Sequence, residues 1–164
     1  MNGKTAMTTL CAALWMALLT AGAHAADKSC VELKTTGEAE REVVENVQKV
    51  KRLAAIDKAV PGNEIVWTIT ATNVCKTPTD NVVIANPVPE HMTYVANSAM
   101  GTGADIAYSL DGKEFKSAAE LQVRAADGST RAARADEYRA IRWTYKNAFA
   151  PGATAFVRYR AVVK

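Results

Sequence analysis

The stretch EIVWTITATN, Glu64–Asn73, decides the fold. Ile65, Trp67, Ile69 and Ala71 alternate with Val66, Thr68, Thr70 and Thr72. A strict period of two in a β-branched run puts one set of side chains in a core and the other toward solvent, which predicts a half-buried strand. Pro61-Gly62 marks a turn just before it.

The same pattern recurs outward from this strand. Near the C-terminus, Ala155, Val157, Tyr159, Ala161 and Val163 alternate with Phe156, Arg158, Arg160 and Val162, after a second turn pair, Pro151-Gly152. The two arginines mark the solvent face. Ile141, Trp143 and Tyr145 alternate with Arg142, Thr144 and Lys146 in a third strand. Shorter candidates lie at 81–85 (NVVIA), 92–96 (MTYVA), 105–110 (DIAYSL) and 121–124. The first ends in Asn86-Pro87-Val88-Pro89, whose prolines cannot continue a central strand. Asp111-Gly112 and Asp127-Gly128 are turn pairs, and 114–116 is a candidate returning strand. Residues 132–138, charged and alanine-rich, suit a short helical turn. Many short strands with no βαβ alternation predict an all-β, antiparallel sandwich. Its expected core is Ile65, Trp67, Ile69, Ile141, Trp143, Val157 and Tyr159.

Residues 38–55 leave two readings open. Val43, Val47, Val50 and Ala54 fall at helical spacing, among helix-favouring Glu, Lys and Ala. REVVEN and QKVKRL can instead pair as a hairpin around 46–48. The short strands on either side favour the hairpin.

The first 25 residues read as an address. Lys4 is their one charged side chain, 10–19 (LCAALWMALL) is an apolar run, and Ala23-His24-Ala25 is a small-x-small cleavage site. The run is about half the roughly 20 residues that a spanning helix needs. A secretory signal peptide cleaved near Ala25 is therefore expected, with the product in the periplasm or outside the cell and no membrane span after processing. Cys11 sits inside the apolar run, which does not suit a lipoprotein signal.

Cleavage would leave 139 of the 164 residues and, with Lys4 gone, lower the net charge from +3 to +2. So weak a charge argues against binding to a phosphate backbone, which needs clustered Lys and Arg. The remainder divides into an N-terminal strand or hairpin segment, 26–60, joined to a sandwich at 61–164. Of three cysteines, Cys30 and Cys75 remain, an even number in an oxidising compartment. One disulfide is expected, with two unpaired thiols as the alternative. There is no C-x-x-C for redox chemistry, and two Cys with one His lack zinc-ligand spacing.

PGNEIVWTITATN, then NVVIANPVPEHMTYVANSA, then APGATAFVRYRAVV resembles the bacterial "conserved repeat domain", also called domain of unknown function eleven. The likeness covers roughly residues 60–163 and keeps three motifs in order. It implies an immunoglobulin-like sandwich at the cell surface or in the periplasm, and no particular activity. The chain departs from the family pattern in carrying one copy rather than a tandem, and in having Cys75 just after the motif's Asn.

No catalytic set stands out. The one His beyond the leader, His91, lies in Pro89-Glu90-His91-Met92, and there is no G-x-S-x-G. His91, Met92 and Met100 lack a copper-binding pattern, and Asp105, Asp111, Asp127 and Asp136 lack the D-x-D-x-D-G spacing of a calcium loop. No cofactor and no metal are expected. The expectation is a non-catalytic module that binds another envelope or surface protein, its oligomeric state left open. Candidate contacts are the loop carrying Pro87, Pro89, Glu90, His91 and Met92, the stretch 125–137, and a basic face of Arg142, Arg158 and Arg160. The competing readings are a small envelope enzyme acting on glycan through surface carboxylates, and a subunit of a surface assembly.

Overall fold

A computed structural model describes residues 29–56 and 58–164; the expected signal peptide, residues 1–25, lies outside them. The strands are β1 (Val31–Glu45), β2 (Gln48–Ala55), β3 (Glu64–Asn73), β4 (Val83–Pro87), β5 (Met92–Tyr94) and β6 (Met100–Gly101), then β7 (Ala104–Ser109), β8 (Gln122–Arg124), β9 (Thr130–Ala132), β10 (Ala140–Tyr145) and β11 (Thr154–Val163). One 3₁₀ turn spans Ala135–Glu137, inside the segment expected to hold a helical turn. All strand pairings are antiparallel.

The larger sheet runs β2-β1-β3-β11-β5, with β6 also on β11; the smaller runs β4-β10-β7; β8 and β9 form a separate hairpin. The two larger sheets face each other across one apolar core, as the alternation predicts. Ile65, Ile69, Val157 and Tyr159 meet Ile84, Ile141 and Trp143, each at most 2% exposed. The chain is an all-β antiparallel sandwich. Trp67 sits at the margin of the core rather than in it. It stands opposite Gly37 on β1, where a Cβ would lie 3.1 Å from the ring. A side chain there would press on the indole, which would have to give by a few tenths of an ångström.

Local chemistry sets the boundaries. β4 ends at Pro87, tolerated because β4 is an edge strand. The expected return strand at 114–116 contributes a single bridge, Tyr108 to Lys116. Asp111 explains why: its Oδ1 accepts from Lys113 N (2.8 Å), Glu114 N (3.0 Å) and Ser109 Oγ (2.9 Å), so the turn bonds to this side chain instead of extending a ladder. Those bonds stabilise the carboxylate and lower the Asp111 pKa to about 2, the amide of Lys113 acting most strongly.

The open question at 38–55 resolves as a hairpin. β1 pairs with β3 from Val31 to Glu38, then with β2 from Glu38 to Glu45. The turn is two residues, Asn46 and Val47, with φ of 47° and 68°. Positive φ at both positions matches the right-handed twist of the strands, as in a type I′ turn.

Cys30 and Cys75 form the expected disulfide, their Cα atoms 5.1 Å apart. It closes the outer end of the β1–β3 ladder, next to the Val74 N–H···O=C Cys30 bond of 2.9 Å. Beside it, Asn73 is 1% exposed and fully engaged. Its Nδ2 donates to the carbonyls of Thr77 (2.9 Å) and Phe149 (2.8 Å), and its Oδ1 accepts from Cys75 N (2.9 Å). One amide thus fixes the end of β3, the loop after it and the loop leading into β11.

Candidate functional site

The expected contact loop is ordered by backbone bonds at one end of the sandwich. Val88 N donates to Arg139 O, Met92 N to Pro89 O, and Lys164 N to His91 O, each at 2.9 Å. Asn86 Nδ2 ties the loop to the core through Tyr159 Oη at 2.8 Å. Burial pushes the Tyr159 hydroxyl pKa upward, so it serves as a neutral hydrogen-bonding group. Pro87, Pro89, Glu90 and His91, with Arg139 and Lys164, border a shallow depression of about 750 Å³. Met92 does not join them. It is the first residue of β5, pairs with Val163 and is buried, so it belongs to the core.

The expected basic face does not form. Arg158 and Arg160 lie on the outer surface of the larger sheet, whereas Arg142 lies on β10 in the smaller one. The outer surfaces of a sandwich point in opposite directions. Arg142 is covered by the ring of Phe115, its guanidinium carbon 4.7 Å from the centroid. Arg158 Nε donates to Thr68 Oγ1 at 3.0 Å, and Arg160 bridges Glu64 (3.0 Å) and Glu40 (3.8 Å).

In the stretch 125–137 the charges answer one another. Arg131 holds Glu137 through two bonds of 2.6 and 2.8 Å, and Arg134 holds Asp136 at 3.0 and 3.2 Å. Glu137 Oε2 also accepts from Arg134 N at 2.7 Å. The Arg131 bonds, then that amide, lower the Glu137 pKa to about 2. The four aspartates weighed for calcium are likewise engaged locally: Asp105 with Lys146, Asp111 with its own turn, Asp127 with Ser129 and Asp136 with Arg134. Among the described residues no group of three or more His, Cys, Asp or Glu could hold a metal ion. No described helix is long and apolar enough to cross a membrane.

The β1–β2 hairpin, favoured from the sequence at 38–55, was not among the candidate contacts. Among the described residues, β1 beyond Glu38 has only β2 as a ladder partner. Ala39 and Ile56 pack at the base against the core. From Arg41 outward the ribbon projects roughly 15–20 Å at the usual strand rise. Its apolar side chains remain open: Val44 is 71% exposed and Val47 95%, with Val43 and Leu53 partly so. Val47 also holds a left-handed backbone conformation that is unfavourable for a β-branched residue. The favoured hairpin already placed apolar Val47 in its turn, and that was the available signal.

At the hairpin base, Glu40, Arg41, Lys51, Lys58, Glu64 and Arg160 border a polar depression of about 550 Å³. Glu40 and Glu64 both reach Arg160, so the two carboxylates are tied to one cation.

The class defined so far is an antiparallel sandwich with one disulfide and a projecting ribbon. No protein-family model, curated protein or solved structure matches the chain.

Proposed function

We propose that this is an exported, non-catalytic, immunoglobulin-like module that works by binding another protein of the cell envelope or surface. The observation that carries the reading is the projecting hairpin. A two-stranded ribbon is marginal in water without a surface to pack on, yet here it exposes Val44 and Val47 at its tip. A second molecule seated on the ribbon would sequester them. The leader-like residues 1–25 and the Cys30–Cys75 bridge support export. The motif likeness to the conserved repeat domain supports a surface role and rests on the quoted motifs alone.

The test is site-specific photocrosslinking in cells that produce the full chain, with a benzophenone amino acid at Val44 or Val47 and, as control, at Lys113. Expected is a discrete adduct from the hairpin positions alone. Equal labelling at all three sites, or none at the tip, overturns the reading.

A further inference from the structure

The open edge of β2 identifies the chemistry of the partner. This inference rests on the binding role just proposed and adds what is bound. Of the other outer strands, β5 has three residues, β4 ends in Pro87, and β7 meets Lys116 at Tyr108. Among the described residues β1 is open on the side away from β2 over Ala39–Glu45, but Glu40 and Glu42 make that edge acidic rather than basic. β2 ends the larger sheet with eight residues and no strand beyond it among those described. Such an edge presents a row of backbone donors and acceptors on which an extended segment can add.

Its charge is one-sided. Lys49 and Lys51 lie on one face of β2 and Arg52 on the other. Across the ladder, β1 supplies Glu42 to Lys49 (3.6 Å) and Glu40 to Lys51 (3.5 Å). On the opposite face Arg41 stands directly across from Arg52. The hairpin is thus an acidic strand paired with a basic one, with cations on both faces beside the open edge. A second copy adding through its own β2 would set basic strand against basic strand.

We infer that β2 receives an extended acidic segment of a different protein as an added antiparallel strand. Opposite Leu53, Arg52, Lys51, Val50 and Lys49, that segment reads apolar-acidic-acidic-apolar-acidic. Main-chain bonds supply most of the affinity, and the alternating side chains supply selectivity.

The probe is the peptide TLEEVET, titrated against the full chain by NMR up to about 1 mM, where even weak complexes register. Expected are shifts confined to the hairpin, new protection of β2 amides, and affinity that falls as salt screens the charges. TLKKVKT should bind at least tenfold more weakly. In Lys49→Glu/Lys51→Glu the preference should reverse, which distinguishes lost recognition from lost folding. Three results overturn the inference: equal binding of the two peptides, no shifts up to the highest concentration, or self-association through β2 in sedimentation. If TLEEVET fails while crosslinking at the tip persists, the binding role stands and the acidic-strand inference falls. If both fail, both fall.

Discussion

At the scale of single residues, the tightest constraint is steric. Gly101 on β6 lies where a Cβ would come within 2.8 Å of Trp143 Cδ1 and 2.9 Å of Val157 Cγ1. Both neighbours are at most 1% exposed, and neither is the loose end of a flexible chain. Gly101→Ala should therefore overpack the core and destabilise the fold by about 1–3 kcal/mol, read as a lower urea midpoint with unchanged slope. An unchanged midpoint would mean that the indole has room to move. Trp143 and Tyr159 were legible because they sat on the apolar side of clear alternations. Trp67, on a similar alternation, lies at the margin, and buried Tyr94, Tyr138, Tyr145 and Phe149 were not in the expected core. The close approach that Gly101 permits was not legible, because it depends on β6 crossing the end of the indole. Nor was the fate of the three arginines. Alternation shows which face of its own strand a residue takes, and only the topology shows which sheet that strand joins.

At the scale of elements, long strands with a strict alternation were readable and everything else less so, although β3 buries Val66 and Thr68 on the face expected toward solvent. β3, β10 and β11 fall where their alternation put them. The β1–β2 hairpin is exposed on both faces along most of its length, so burial imposes no period of two. Its valines fall at helical spacing by coincidence. Within the contact loop, Met92 belongs to the core because the strand begins at that residue. The β8–β9 hairpin and the 3₁₀ turn depend on local charge, and this makes them sensitive to acid. In the fold Glu137 titrates at about 2, below its ordinary value of 4.5. Ionised Glu137 therefore favours the folded segment above about pH 4.5, and this contribution disappears as pH falls toward 2. Amide exchange at 130–138 should quicken between pH 5 and pH 2.5 relative to β3, once corrected for intrinsic rates. Glu137→Gln should make that ratio nearly independent of pH. A ratio unchanged by pH in the unmodified chain would remove Glu137 from this role.

For the whole molecule, the Cys30–Cys75 bridge and the Asn73 amide act at the same corner. The bridge spans a sequence separation of 45 residues. On the chain-entropy account, closing a loop of that size stabilises the fold by about 4 kcal/mol. Cys30→Ser/Cys75→Ser should lower the urea midpoint accordingly while keeping the sandwich, because Asn73 still joins β3 to the loop before β11. Unchanged stability would show that the ladder holds that corner without the bridge. The placement of the cross-link has another consequence. The whole projecting hairpin lies inside the covalent loop it closes, and an exposed strand tip is where an extracellular protease cuts first. A single cut there would separate no fragment: the pieces ending and beginning at the nick would remain one molecule until reduced, and the damage would show on a gel only after a thiol was added.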